Sequence, residues 1–152
     1  MKPFLDLGAL SAALLLLLPA SGLAETPPAA PTAWNQEKVT ELAGELTKQV
    51  ETLYGITYRA LPDSAMESPQ TELRHELIDK LRVIQNEARH LQARLEKGDG
   101  LSKTRPIYMR IDELRRDAAE DARRLFLTGD VTHAMEATRD IWLKLRDYYL
   151  AH

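Results

Sequence analysis

The 152-residue chain contains no cysteine. That absence excludes disulfides, thiolate zinc sites, thiol nucleophiles, iron–sulfur clusters and thioether-attached haem. An excess of one charge is also missing. Twenty Lys and Arg stand against 23 Asp and Glu, for a net charge of −3. Charge alone therefore gives no basic face for nucleic acid. No long apolar stretch is present either. The apolar run at 7–18 covers 12 residues, short of the ~20 that a membrane-crossing helix needs. Gly-x-Ser-x-Gly, P-loop, Gly-x-Gly-x-x-Gly and His-Glu-x-x-His motifs are all missing. No nucleophile, base and oxyanion donor converge, so no catalytic residue and no enzyme activity are expected.

What is there reads as a folded helical domain behind an address. Hydrophobic residues make up 44% and charged residues 28% of the chain, which suits a packed protein and not a disordered one. Lys2, the apolar run with Leu14 to Leu18, Pro19 and the small residues Gly22 and Ala24 read as a secretory signal at 1–24, cleaved after Ala24. The expected destination is the periplasm, with no membrane span left after cleavage. Residues 25–33, with Pro27, Pro28 and Pro31, read as an extended Pro/Ala tether. The folded domain is expected at 34–152.

Four stripes at helical spacing follow. Helix 1 is expected from Asn35, a good N-cap, to Arg59, with Val39, Leu42, Ala43, Leu46, Val50, Leu53 and Tyr54 on its apolar side. A loop at 61–64 follows. Helix 2 opens at Ser68-Pro69 and carries Leu73, Leu77, Leu81, Ile84, Ala88, Leu91 and Leu95. Gly98 is its expected left-handed cap. Helix 3 is expected to start near Thr104-Arg105-Pro106, with Ile107, Ile111, Leu114, Ala118, Ala122 and Leu125 as its stripe. Gly129 should end it and Asp130 should cap helix 4, whose stripe is Val131, Ala134, Thr138, Ile141, Leu145 and Tyr148. No proline falls inside these patterns, and no alternating strand pattern competes. The expected class is all-α, an up-down-up-down antiparallel four-helix bundle.

Candidate chemistry is sparse. Glu72/His75 and Glu87/His90 have the Glu-x-x-His spacing of carboxylate metal sites, but both lie on one helix about 22 Å apart at 1.5 Å per residue. His133 and Glu136 lie one turn apart without a second pair. No metal site is expected. Asp121, beside the apolar face of helix 3, reads as a flanking carboxylate paired with an arginine, Arg124 or one on a neighbouring helix. Asp112-Glu113 and Glu120-Asp121 alternate with arginines and read as a solvated face. Phe126 and Trp142 lie beside the stripes, as wide-stripe core or as an edge offered to a partner.

Three stretches together resemble the cytochrome b562 family of periplasmic bundles. They are Lys80-Leu81-Arg82 with Ala88, then Asp121-Ala122 with Leu125, and Gly129-x-Val131-x-x-Ala134 running on to Tyr148. Leu42 and Leu46 fit the spacing of that family's first helix. The resemblance implies a haem-b electron carrier held by a methionine from helix 1 and a histidine from helix 4. Those positions fall on Val39 and Tyr149. Valine cannot ligate iron, and helix 1 holds no Met or His. The expectation is therefore a non-enzymatic binding bundle with no cofactor, whose partner is a protein or a small apolar ligand. The alternative is haem-b electron transfer with altered ligation, with Tyr149 or His152 as the fallback ligand.

Overall fold

Asn35 sets the start of the first helix. Its backbone is extended and its side-chain oxygen accepts from the Lys38 amide at 2.9 Å, which satisfies one of the orphan donors of a helix start. In the computed structural model, which describes residues 32–60 and 69–150, four helices follow: α1 (Gln36–Arg59), α2 (Pro69–Glu96), α3 (Leu101–Arg123) and α4 (Gly129–Tyr149). No strand occurs among the described residues, so the architecture is all-α with four helices. The signal, its cleavage site, most of the tether at 25–33, the loop at 61–64 and His152 lie outside the described residues. None of the described helices is long and apolar enough to cross a membrane.

The α2–α3 turn follows from Gly98. Its φ of 84° is left-handed, where an L side chain is strained. Gly98 and Asp99 donate back to the carbonyls of Leu95 and Arg94. Arg94 and Lys103 then converge on the Asp99 carboxylate, and this holds its pKa below the usual value.

Two boundaries differ from the sequence expectation. Helix α3 begins at Leu101, so Pro106 lies inside it, at the sixth position. The early start is supported by Gly100, whose carbonyl accepts from the amides of Lys103 and Thr104 and from the Thr104 hydroxyl. Gly129 does not end α3. The third helix stops at Arg123, and Gly129 is the first residue of α4, with Thr128 at the cap position and Asp130 in the first turn.

The core is a single cluster fed by all four helices. Helix α1 lies along both α2 and α4, and α2 lies along α3. Gln36 on α1 donates to the carbonyls of Leu95 and Asp99 at the α2–α3 turn. Of the neighbouring pairs, α3 and α4 have the least contact. The side chains of Thr104, Tyr108, Trp142 and Tyr149 meet across one end, and farther along an opening lies between the two helices.

Candidate functional site

Two features of the interior bear on function, one at each end of the α3–α4 seam. The first is an aromatic stack. The rings of Trp142 and Tyr108 are parallel at 4.3 Å, and Tyr108 and Tyr149 are parallel at 4.2 Å. Trp34 sets its edge on Tyr149 at 5.3 Å. Trp142, Tyr108 and Tyr149 are all buried. The Tyr149 hydroxyl donates to Thr104 Oγ1 at 2.9 Å. Burial raises the Tyr149 pKa to about 12, against a smaller lowering by the Thr104 bond. Burial also raises the pKa of Tyr108, whose hydroxyl has no hydrogen-bond partner among the described residues.

This stack corrects the expected stripes. On α4 the buried face carries Trp142 and Tyr149, while Ile141 and Tyr148 are only partly buried. On α3 it carries Thr104, Tyr108 and Asp112, while Ile107 and Leu114 are partly buried. At Tyr108, Trp142 and Tyr149 the shift is one residue, or about 100° around the helix, and it brings the flat rings face to face, while the expected Ile111, Ala118, Ala122, Val131, Ala134 and Leu145 remain buried.

The residues where the resemblance places haem ligands are here. Val39 and Tyr149 are both fully buried. Val39 offers no donor atom. Tyr149 keeps its proton through the physiological range, and its ring is stacked against Tyr108. This donor set does not fit a haem iron.

The second feature is a cavity of about 340 Å³ in the opening between α3 and α4. Val50 and Leu53 of α1 and Leu77, Leu81 and Ile84 of α2 form its floor. On α3 the lining residues are Ala118, Ala119 and Ala122. Three alanines in place of larger side chains leave the space that the other walls do not fill. Val131 and Met135 of α4 close the far side.

The few polar groups in the lining are informative. Two of its threonines, Thr132 and Thr138, donate their hydroxyls to the carbonyl four residues back, as Thr40, Thr47, Thr52 and Thr104 do elsewhere in the bundle. Thr57, which also lines the cavity, is buried and its hydroxyl has no partner among the described residues. Arg115 lies at the mouth with its guanidinium 5.7 Å over the Trp142 ring. Its Nη2 donates to Asp112 at 2.9 Å, but its Nε is buried without an acceptor. Arg123 and Arg139 are exposed at the same mouth and make no ion pair among the described residues.

The other candidates are placed as follows. Asp121 is buried and pairs with Lys80 of α2, not with an arginine as expected. This hydrogen bond raises the Lys80 pKa. Asp112 is buried too, between Arg115 and Arg116, and so does not belong to the solvated face expected of it. His75, His90 and His133 are exposed. His90 lies 3.8 Å from Glu87, and His133 lies 3.4 Å from Glu136. No group of three His, Asp or Glu able to hold a metal occurs among the described residues. Trp142 is core, whereas Phe126 is 86% exposed. The cavity itself had no signature in the sequence beyond the run of small residues on α3. Compared with known proteins, the chain matches no family model, no curated protein and no solved structure.

Proposed function

We propose that this chain is a periplasmic, non-enzymatic binding protein built as an up-down-up-down helical bundle of cytochrome b562-like design. In this reading the signal at 1–24 exports it, residues 25–33 space the domain from the cleavage site, and the bundle takes a small apolar ligand. The observation that carries the reading is the apolar cavity in the α3–α4 opening. Ligand sites are concave and mostly apolar with a few placed polar groups, at volumes of about 300–1,000 Å³, and the 340 Å³ space lies in that range. The order of contacts supports the topology. The start of α1 meets the end of α2 through Gln36, and the start of α3 meets the end of α4 through Thr104 and Tyr149.

Haem carriage is set aside in this reading because the family's ligand positions hold Val39 and a stacked, protonated Tyr149. The test is an absorption spectrum of protein purified from the periplasm, followed by titration with haem. The expected result is no low-spin spectrum at stoichiometric haem. A low-spin six-coordinate spectrum would replace this reading with electron transfer through ligands elsewhere in the chain.

A further inference from the structure

The mouth of the cavity is charged, although its walls are not. No lining residue from α1 or α2 carries a charge. From α3 and α4 come three arginines, Arg115, Arg123 and Arg139, against one carboxylate, Glu136. The Glu136 carboxylate faces His133. Arg115 is already paired with Asp112, which leaves Arg123 and Arg139 against Glu136, still a local excess of positive charge on a chain whose net charge is −3.

The charges are not evenly spread along the slot. Arg115 lies over Trp142, and Arg139 is one helical turn before Trp142 on α4. These two arginines mark the end next to the aromatic stack. Arg123 is the last residue of α3, eight residues beyond Arg115, which is about 12 Å at 1.5 Å per residue. The slot is therefore elongated. An engineered cavity of about 150 Å³ takes a benzene ring, so 340 Å³ admits about a dozen carbons. That is one alkyl chain, not the paired chains of a phospholipid.

We propose that the cavity binds a free fatty acid, its tail lying along the slot and its carboxylate at the Arg115–Arg139 end. The proposal rests on reading the protein as a binder of small apolar ligands. It adds the head group and its direction. Arg115 Nε is a buried donor without an acceptor, and a buried polar atom left unpaired is costly. A carboxylate oxygen supplies that acceptor, and Arg139 adds a second cation with no ion pair among the described residues. The tail runs past Ala118, Ala119 and Ala122 toward Val131.

Calorimetric titration of the purified protein with decanoate, decan-1-ol and decyltrimethylammonium tests this directly. Decanoate should bind one to one. The alcohol should bind about tenfold more weakly, as expected for loss of a charge-assisted hydrogen bond, and the cation more weakly still. Arg139→Gln should lower decanoate affinity toward that of the alcohol, with Arg115 keeping part of the difference, and leave the alcohol unchanged. Arg123→Gln, at the far end, should have the smaller effect. Both arginines are exposed, so both variants should keep the wild-type helical circular dichroism. Ala119→Leu, which narrows the slot, should weaken decanoate and decanol together.

Equal affinity for acid and alcohol, unmoved by Arg139→Gln, would overturn the anionic head while leaving the binding reading intact. A larger loss from Arg123→Gln than from Arg139→Gln would overturn the direction. Co-sedimentation with phosphatidylglycerol vesicles without binding of decanoate would overturn the proposal in favour of membrane lipid. Failure of every decyl probe to bind would remove the binding reading as well.

Discussion

Tyr149 takes part in three contacts at once. Its ring stacks on Tyr108, its edge partner is Trp34, and its hydroxyl reaches Thr104. Because the ring supplies most of the burial, Tyr149→Phe keeps the stack and removes only the 2.9 Å hydrogen bond. The expected cost is about 1 kcal/mol, since a neutral hydrogen bond contributes about 0.5–1.5 kcal/mol net. Thr104 still donates to the Gly100 carbonyl, so no donor is stranded. Urea unfolding of the variant measures it, and a loss near that of a core truncation would mean that the stack itself had shifted. Asp112 and Asp121 make a related point. Both are acids on a helix face that must face inward, and both are buried only because cations accompany them. Asp121 was legible as a paired carboxylate beside the apolar face, with the wrong partner, whereas a hydropathy pattern scores Asp112 as surface, so its charge pairing hid it from the sequence reading.

Among the elements, α1 was the easiest to read and α3 the hardest. Val39, Leu42, Ala43, Leu46, Val50 and Leu53 were all expected on the inner face of α1 and all are buried there. The Asn35 cap and the Gly98 turn were also legible, because each is a local backbone demand met by one residue type. Of the stripe expected on α3, Ile111, Ala118, Ala122 and Leu125 are buried, but Ile107 and Leu114 are only partly so, and the start was misplaced. Leu101 to Arg105 carry weak apolar signal and precede a proline, so the true first turn looked like loop. The cost of that proline is testable. Pro106 leaves the Ser102 carbonyl without its helical donor, and interior proline costs up to about 3 kcal/mol. Pro106→Ala should therefore raise the urea midpoint, by an amount corresponding to about 1–3 kcal/mol. Unchanged or lower stability would mean that the ring is packed to advantage where it stands. The cavity was not legible at all. Ala118 and Ala122 fit a stripe, but no spacing rule says whether side chains from α1, α2 and α4 reach across to fill the space beside them.

The whole molecule should respond to alkali in one direction. Tyr149 ionises at about 12 in the folded state against 10 for the free side chain, because burial disfavours the charged form. Burial moves Tyr108 the same way. The hydrogen bond to Asp121 raises the Lys80 pKa above its ordinary 10.5. A folded pKa above the unfolded one contributes stability that is complete below the unfolded value and lost as pH rises through the folded value. All three groups therefore destabilise the fold on going from pH 10 toward pH 12. Melting temperature followed by helical circular dichroism should fall across that window. Tyrosinate absorbance from the stacked rings should appear only as helix is lost. Full ionisation of all five tyrosines near pH 10 with helix intact would contradict the buried stack.

The stack and the slot lie at opposite ends of the same seam, and this determines what light can report. The chain has two tryptophans, and both belong to the stacked end: Trp142 within the stack, Trp34 against its outer tyrosine. Neither lines the slot. Intrinsic emission is thus a gauge of one end of the molecule. It should register the fastening of α3 to α4, and it senses the slot only through Arg115, whose guanidinium lies 5.7 Å over Trp142. An alcohol that fills the slot without pairing with Arg115 should leave emission nearly unchanged while raising the melting temperature through mass action, whereas a carboxylate held at Arg115 should shift it.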